Sequence, residues 1–199
     1  MELTSNLKQK QRNIYVVVSD SGSRISKILR IFTKAKYNHV SLALREDLQE
    51  MYSFGRRWKY YAFYGGFIKE TPYTGVFGVY PKADIVVFPF DVTETQYKEI
   101  SARIEDMYRR KKHYKYSWLG LFMLLFHKKV KRKHYYYCSE FVQEILTQFS
   151  VVEEGIFPLV TKPHEFLHIF QGKQTYVGRY RDYAVAPTAQ AMGKEKETA

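Results

Sequence analysis

The chain has 199 residues, 45% of them hydrophobic and 17% aromatic, enough to close one sizeable core and too few to ask for two. Its formal charge of +12 and pI near 9.6 create a field that attracts nucleic acid, anionic lipid or an acidic substrate. The opening MELTSNLKQKQRN holds no signal-peptide core, and no later segment approaches the roughly 20 apolar residues of a membrane-spanning helix. With a single cysteine excluding any internal disulfide, a cytoplasmic one-domain protein is expected.

In chain order, residues 1–13 read as an N-terminal arm. Residues 14–19 (IYVVVS) are a β-branched run ended by Asp20, Ser21 and Gly22, the mark of a buried strand and a turn. Ile25, Ile28, Leu29 and Phe32 recur at helical spacing after Ser23, which predicts a helix over 24–35. Residues 39–44 (HVSLAL) alternate, with His39, Ser41 and Ala43 on one face and Val40, Leu42 and Leu44 on the other; residues 51–54 return as the partner strand of a hairpin. Residues 65–78, rich in glycine, read as loop and short strand, and 84–90 (DIVVFPF) as another strand.

Thr93 and Gln96 have the spacing of a capping box, followed by a helical face of Tyr97, Ile100, Ile104, Met107 and Tyr108. Phe141, Val142, Ile145, Leu146 and Phe149 form a second such face, so Cys138 stands at or near a helix start. Residues 175–181 predict a last strand. Residues 184–199 have the small, polar composition of a disordered tail, which leaves 14–183 as the folded domain.

A cysteine at a helix start has the means to act as a nucleophile. Unpaired N–H groups and the helix dipole favour the thiolate, and the N–H groups of Cys138 and Ser139 are placed to receive an oxyanion. The base must be a histidine. His113, His127 and His134 lie among lysines and arginines, and His164 and His168 follow Pro163; His39 alone opens a strand with its imidazole on a small-residue face. On spacing alone, a buried structural cysteine and an unrelated histidine are the more ordinary arrangement. Glu140, in the first turn, reads as a structural residue that favours the dipole and opposes a thiolate nearby.

The order NHVSLAL, then a strand pair and helix, then YSWLGLF, then YYYCSEFVQEIL resembles the permuted papain-like amidases of the YaeF/YiiX kind, relatives of the NlpC-type peptidases and of lecithin:retinol acyltransferase. The resemblance covers about residues 14–180. It implies an α+β, circularly permuted papain-like fold, an antiparallel sheet packed against helices with the nucleophile at a helix N-terminus. It further implies Cys138 as nucleophile, His39 as general base, and hydrolysis of an amide or ester, or acyl transfer. Relatives place a Glu or second His on the returning hairpin strand to orient the base. Here that strand reads MYSFG, which makes Ser53 the expected orienting residue, with Tyr52 behind it. Tyr52 and Tyr137 are expected to line the substrate groove, and no metal or cofactor is expected.

Between Asp106 and Glu140 there is no acidic residue, while Arg109, Arg110, Lys111, Lys112, Lys115, Lys128, Lys129, Lys131, Arg132 and Lys133 all fall there. The apolar centre of this stretch, residues 118–126 (WLGLFMLLF), is expected to be a buried helix rather than a membrane wedge. The flanking charges fit an anionic membrane surface at about 1 kcal/mol for each one that reaches it. Specific nucleic-acid recognition is not expected, since zinc-ligand spacing, a recognition helix and an RNA-binding aromatic signature are all missing. The substrate is accordingly expected to be a peptide or an acyl lipid. The contrasting expectation is a catalytically weak or inactive domain of the same fold that binds an anionic membrane surface or nucleic acid through its basic loop.

Overall fold

The computed structural model describes residues 11–22, 30, 34–57, 64–124 and 126–185. Alternation along QRNIYVVVSD sends Ile14, Val16 and Val18 to one face of β1 (Gln11–Asp20) and Tyr15 and Val17 to the other. Both sets are buried, so β1 is a central strand. It pairs with β2 (His39–Ala43) on one side and β5 (Asp84–Thr93) on the other. With β3 (Met51–Arg56), β4 (Gly65–Glu70), β6 (Lys115–Tyr116), β7 (Tyr135–Tyr136) and β8 (Tyr176–Arg179), they form an eight-stranded sheet in the order β7-β6-β4-β3-β2-β1-β5-β8. Every pairing is antiparallel except the short β6–β7 contact.

Both faces are covered, and the class is α+β, as expected. Between β4 and β5 lies α1 (Gly75–Val79), and α2 (Glu94–Arg109) follows β5. The helices α3 (Trp118–Leu124) and α4 (Cys138–Gln148) flank β7; α5 (Glu165–Ile169) and α6 (Tyr180–Val185) flank β8. The larger core sets Ile100, Ile104 and Met107 of α2 and Phe141, Val142, Ile145 and Leu146 of α4 against Val16, Val40, Leu42 and Phe88. On the opposite face Val17, Ala43, Met51 and Val87 are closed off by Phe77 and Tyr180, whose rings meet edge to face at 4.9 Å.

The capping box of α2 forms as its spacing predicts. Thr93 Oγ1 accepts from the Gln96 amide at 3.2 Å, and Gln96 Oε1 accepts from the Thr93 amide at 2.9 Å. Gln96 also donates through Nε2 to the Phe149 carbonyl at 2.9 Å, tying the start of α2 to the end of α4.

Several boundaries differ from the sequence reading. β1 begins at Gln11, inside the expected arm, and β5 runs on to Thr93. Residues 65–78 hold a full six-residue strand and α1. The chain closes with α6 after β8, so the first two residues of the expected tail are helical. The helix expected over 24–35 lies outside the described residues but for Arg30, Lys34 and Ala35, and so does the tail beyond residue 185.

The largest departure is α3. Its flank against the body is packed, with Gly120 under Tyr137 and Leu124 against Tyr137 and Val160, but Leu119 and Phe122 are 48% and 56% exposed, and Phe126 just beyond the helix 59%. A helix apolar all round has only one flank to bury when it sits at the periphery of the sheet. None of the helices among the described residues is long and apolar enough to cross a membrane.

One irregularity of the sheet positions the site. β1 and β2 pair as far as Ser19–His39, and β3 and β4 as far as Arg56–Gly65, yet β2 and β3 pair only through Leu42–Tyr52 and Ala43–Met51. The two strands therefore part toward His39. α4 packs across both of them and brings its N-terminus to that parting.

Candidate active site

Cys138 is the first residue of α4, behind the extended Tyr137 that serves as N-cap. It is 3% exposed and unpaired with any other cysteine. At this position the amides of Cys138 and Ser139 have no acceptor within the helix, whereas the Phe141 amide already donates to the Tyr137 carbonyl at 3.1 Å. His39 opens β2, its side chain 22% exposed, and its imidazole lies near enough to the Cys138 thiol for the thiol to help raise its pKa. Both side chains line one cavity of about 90 Å³. Nucleophile and base of the sequence reading are thus brought together.

The carboxylate that the imidazole meets is one that the sequence reading does not name. His39 Nε2 lies 3.0 Å and 3.2 Å from the two carboxylate oxygens of Glu70, the last residue of β4, which leaves Nδ1 as the nitrogen for Cys138. Glu70 is itself held, accepting from Ser41 Oγ at 2.6 Å and from Ser53 Oγ at 2.9 Å. Ser53 therefore does not orient His39 directly: its hydroxyl bonds Glu70, and Glu70 bonds the imidazole. Ser41 sits 3.3 Å from the same imidazole nitrogen.

β2 and β4 are separated by β3, so His39 and Glu70 have to meet across a strand, a span of roughly 9–10 Å between backbones. They do so because β3 presents small residues on this face. Met51 pairs with Glu70, Ser53 with Ile68 and Gly55 with Gly66, and residues two apart share a face. A Cβ on Gly55 would stand 2.7 Å from Ile68 Cδ1 and 4.0 Å from His39 Cε1. A lone carboxylate in a short apolar strand, two positions from the partner of Ser53, was the available signal. The reading of residues 65–78 as loop and short strand gives that carboxylate no face and no strand partner.

Burial opposes both charges of the pair, and mutual attraction overcomes it. His39 is held well above the ordinary imidazole range by the Glu70 charge and by hydrogen bonds to Cys138 and Glu70. Glu70 is held below the ordinary carboxylate range by His39 and the two serines. Glu140 behaves differently: burial pushes its carboxyl up to about 7, helped by the Glu144 charge and resisted by the Tyr137 N–H and by Lys129 and Lys131. Its Oε2 is buried with no hydrogen-bond partner.

The two aromatic residues expected in the groove are elsewhere. Tyr52 points to the helix-covered face, its ring beside Phe67 and Tyr108 and its hydroxyl donating to Glu50 at 3.2 Å. Strand alternation dictates this, since Ser53 occupies the opposite face. Tyr137 is 4% exposed and packs against Leu124 and Val160. The rings that wall the cavity are Tyr116 and Trp118, 4.5 Å apart at the start of α3, joined by Phe54, Ile68, Phe77 and Leu121. Burial, and after it the neighbouring Cys138, hold the Tyr116 phenol well above its ordinary range, so it keeps its proton.

No group of three or more His, Cys, Asp or Glu side chains suited to a metal occurs among the described residues. No family model, curated protein or solved structure matches the chain.

Proposed function

We propose that the protein is a cysteine hydrolase or acyltransferase with a permuted papain-like fold, in which Cys138, His39 and Glu70 act in sequence on an acyl amide or ester. The observation that carries this reading is the placement of one imidazole between a helix-start thiol and a buried carboxylate that two serines hold in place.

Cys138 Sγ attacks the acyl carbonyl carbon as its proton passes to His39 Nδ1, and Glu70 stabilises the resulting imidazolium. The carbonyl oxygen becomes an oxyanion facing the amides of Cys138 and Ser139. As the intermediate collapses, the leaving amine or alcohol takes the proton from His39, and a thioester remains on Cys138. Water, or an acceptor nucleophile, then attacks the thioester as His39 takes its proton. The thiol is regained when that proton returns to sulfur. Walls of Phe54, Ile68, Phe77, Tyr116, Trp118 and Leu121 favour an apolar acyl group over a polar peptide side chain.

The test is hydrolysis of a chromogenic acyl ester or anilide by the full chain. Turnover abolished by Cys138→Ala and by His39→Ala, with the circular dichroism spectrum unchanged, supports the reading. Absence of turnover together with slow iodoacetamide alkylation of Cys138 from pH 5 to 9 refutes it and leaves a binding domain.

A further inference from the structure

α3 separates the cavity from an unusual surface. Trp118 and Leu121 face the cavity, while Leu119, Phe122 and Phe126 are about half exposed, the two Phe rings 5.3 Å apart. A fourth apolar side chain, Leu159, is 69% exposed on the loop whose Val160 packs on Leu124 and whose Lys162 Nζ lies 3.3 Å from His127. Clustered exposure of this kind on a folded chain marks a contact surface.

The surroundings state the sign of the partner. Directly after this ridge Lys128, Lys129, Lys131, Arg132 and Lys133 are all exposed. The β6–β7 pairing, with the Lys115 amide donating to the His134 carbonyl at 2.9 Å, brings the exposed Arg109, Arg110, Lys111 and Lys112 segment close by. Among the described residues, Lys131 is the loop cation that reaches a carboxylate, Glu144 at 3.6 Å. An apolar ridge beside a cationic loop is complementary to a lipid bilayer with anionic headgroups, where the ridge enters the acyl boundary and the cations meet phosphates. A phosphodiester backbone would satisfy the cations and leave the aliphatic and aromatic ridge in water.

We propose that α3 and the loop after it dock on an anionic lipid surface, and that an acyl-bearing lipid passes along α3 between Leu119 and Trp118 to Cys138. Docking stands on the surface alone; delivery of substrate rests on the catalytic reading above.

The experiment uses the full chain carrying Cys138→Ala for binding and the parent chain for turnover. Sedimentation with vesicles of phosphatidylglycerol and phosphatidylcholine is compared with phosphatidylcholine alone. Two variants, F122S/F126S and K128Q/K129Q/K131Q/R132Q/K133Q, are each expected to weaken binding to the anionic vesicles by roughly tenfold or more. Both should turn over a water-soluble reporter at the parent rate and a vesicle-embedded acyl reporter more slowly. Circular dichroism excludes unfolding. Binding to anionic vesicles that survives both variants overturns the proposal. So does a loss confined to duplex DNA binding, which assigns the surface to nucleic acid, or a ridge variant that only dissolves a dimer, which assigns it to a second copy. Vesicle binding as expected with neither reporter turned over leaves docking standing and removes the catalytic reading. Soluble turnover with unaffected vesicle binding does the reverse.

Discussion

Replacing Glu70 by Gln keeps the shape of the side chain and removes the charge that His39 faces. Three hydrogen bonds converge on this carboxylate: from Ser41 at 2.6 Å, from Ser53 at 2.9 Å, and the His39 contact at 3.0 Å. A bond to a charged group is worth about 1.5–3 kcal/mol, so losing its strength at the imidazolium lowers kcat/KM about 10- to 150-fold. The pH profile carries a second signature. With its pKa raised in the folded chain, His39 adds stability that is fully present below the ordinary 6.5 and is lost as pH rises through the folded value. Glu70, lowered, adds stability that is present above 4.5 and is lost as pH falls through its folded value. The pair is therefore most stabilising between these limits. In Glu70→Gln the acid limb of kcat/KM moves to lower pH, because the charge that held the imidazole proton is gone and the neutral base forms earlier. The assay is the acyl reporter followed from pH 5 to 10, with thermal unfolding at each pH. Unchanged kcat/KM and an unmoved acid limb in a folded Glu70→Gln variant would show that Glu70 does not orient the base.

Ser53→Ala removes one of the two serine bonds to Glu70 and leaves Ser41, so kcat/KM falls less than in Glu70→Gln, by about tenfold or under; equal losses in the two variants would contradict this order of contacts. Gly55→Leu places a side chain where a Cβ already comes 2.7 Å from Ile68 Cδ1 and 4.0 Å from His39 Cε1, so turnover drops sharply while thermal unfolding still shows a folded chain. Glu140→Gln is expected to stabilise the protein above neutrality. The rise of its carboxyl from 4.5 to about 7 corresponds to about 3 kcal/mol, or about 6–12 °C in Tm at pH 8. Because the folded carboxyl holds its proton more tightly than the unfolded one, this advantage shrinks as pH falls through 7 and vanishes near 4.5; a gain that is equal at pH 5 and pH 8 would refute the buried-carboxylate explanation.

Periodicity is a local property, and what depends on it is legible in the sequence. Alternation in HVSLAL put His39 and Ser41 on one face, and that face carries the site. The helical spacing after Cys138 put the thiol at a helix start, where it is found. Thr93 and Gln96 closed the capping box that their spacing requires. The sign of the basic segment was equally plain, since charge is carried by composition.

Glu70 was out of reach of that reasoning because its role depends on which strands become neighbours. Nothing within GGFIKE states that β4 will lie two strands from β2, or that Ser53 and Gly55 will leave the space between them open. Ser53 on β3, the expected orienting position, lies one strand short of the carboxylate that the imidazole meets. Tyr52 and Tyr137 misled for a related reason: aromatic identity is local, but the face it lands on is set by register and by what packs there. α3 shows the same limit. Its apolar composition says that it avoids water on some side, while only the position of the helix at the periphery of the sheet decided that Leu119, Phe122 and Phe126 would stay outside. Local pattern determined which segments are strands and helices and which residues can react; long-range pairing decided which of them meet.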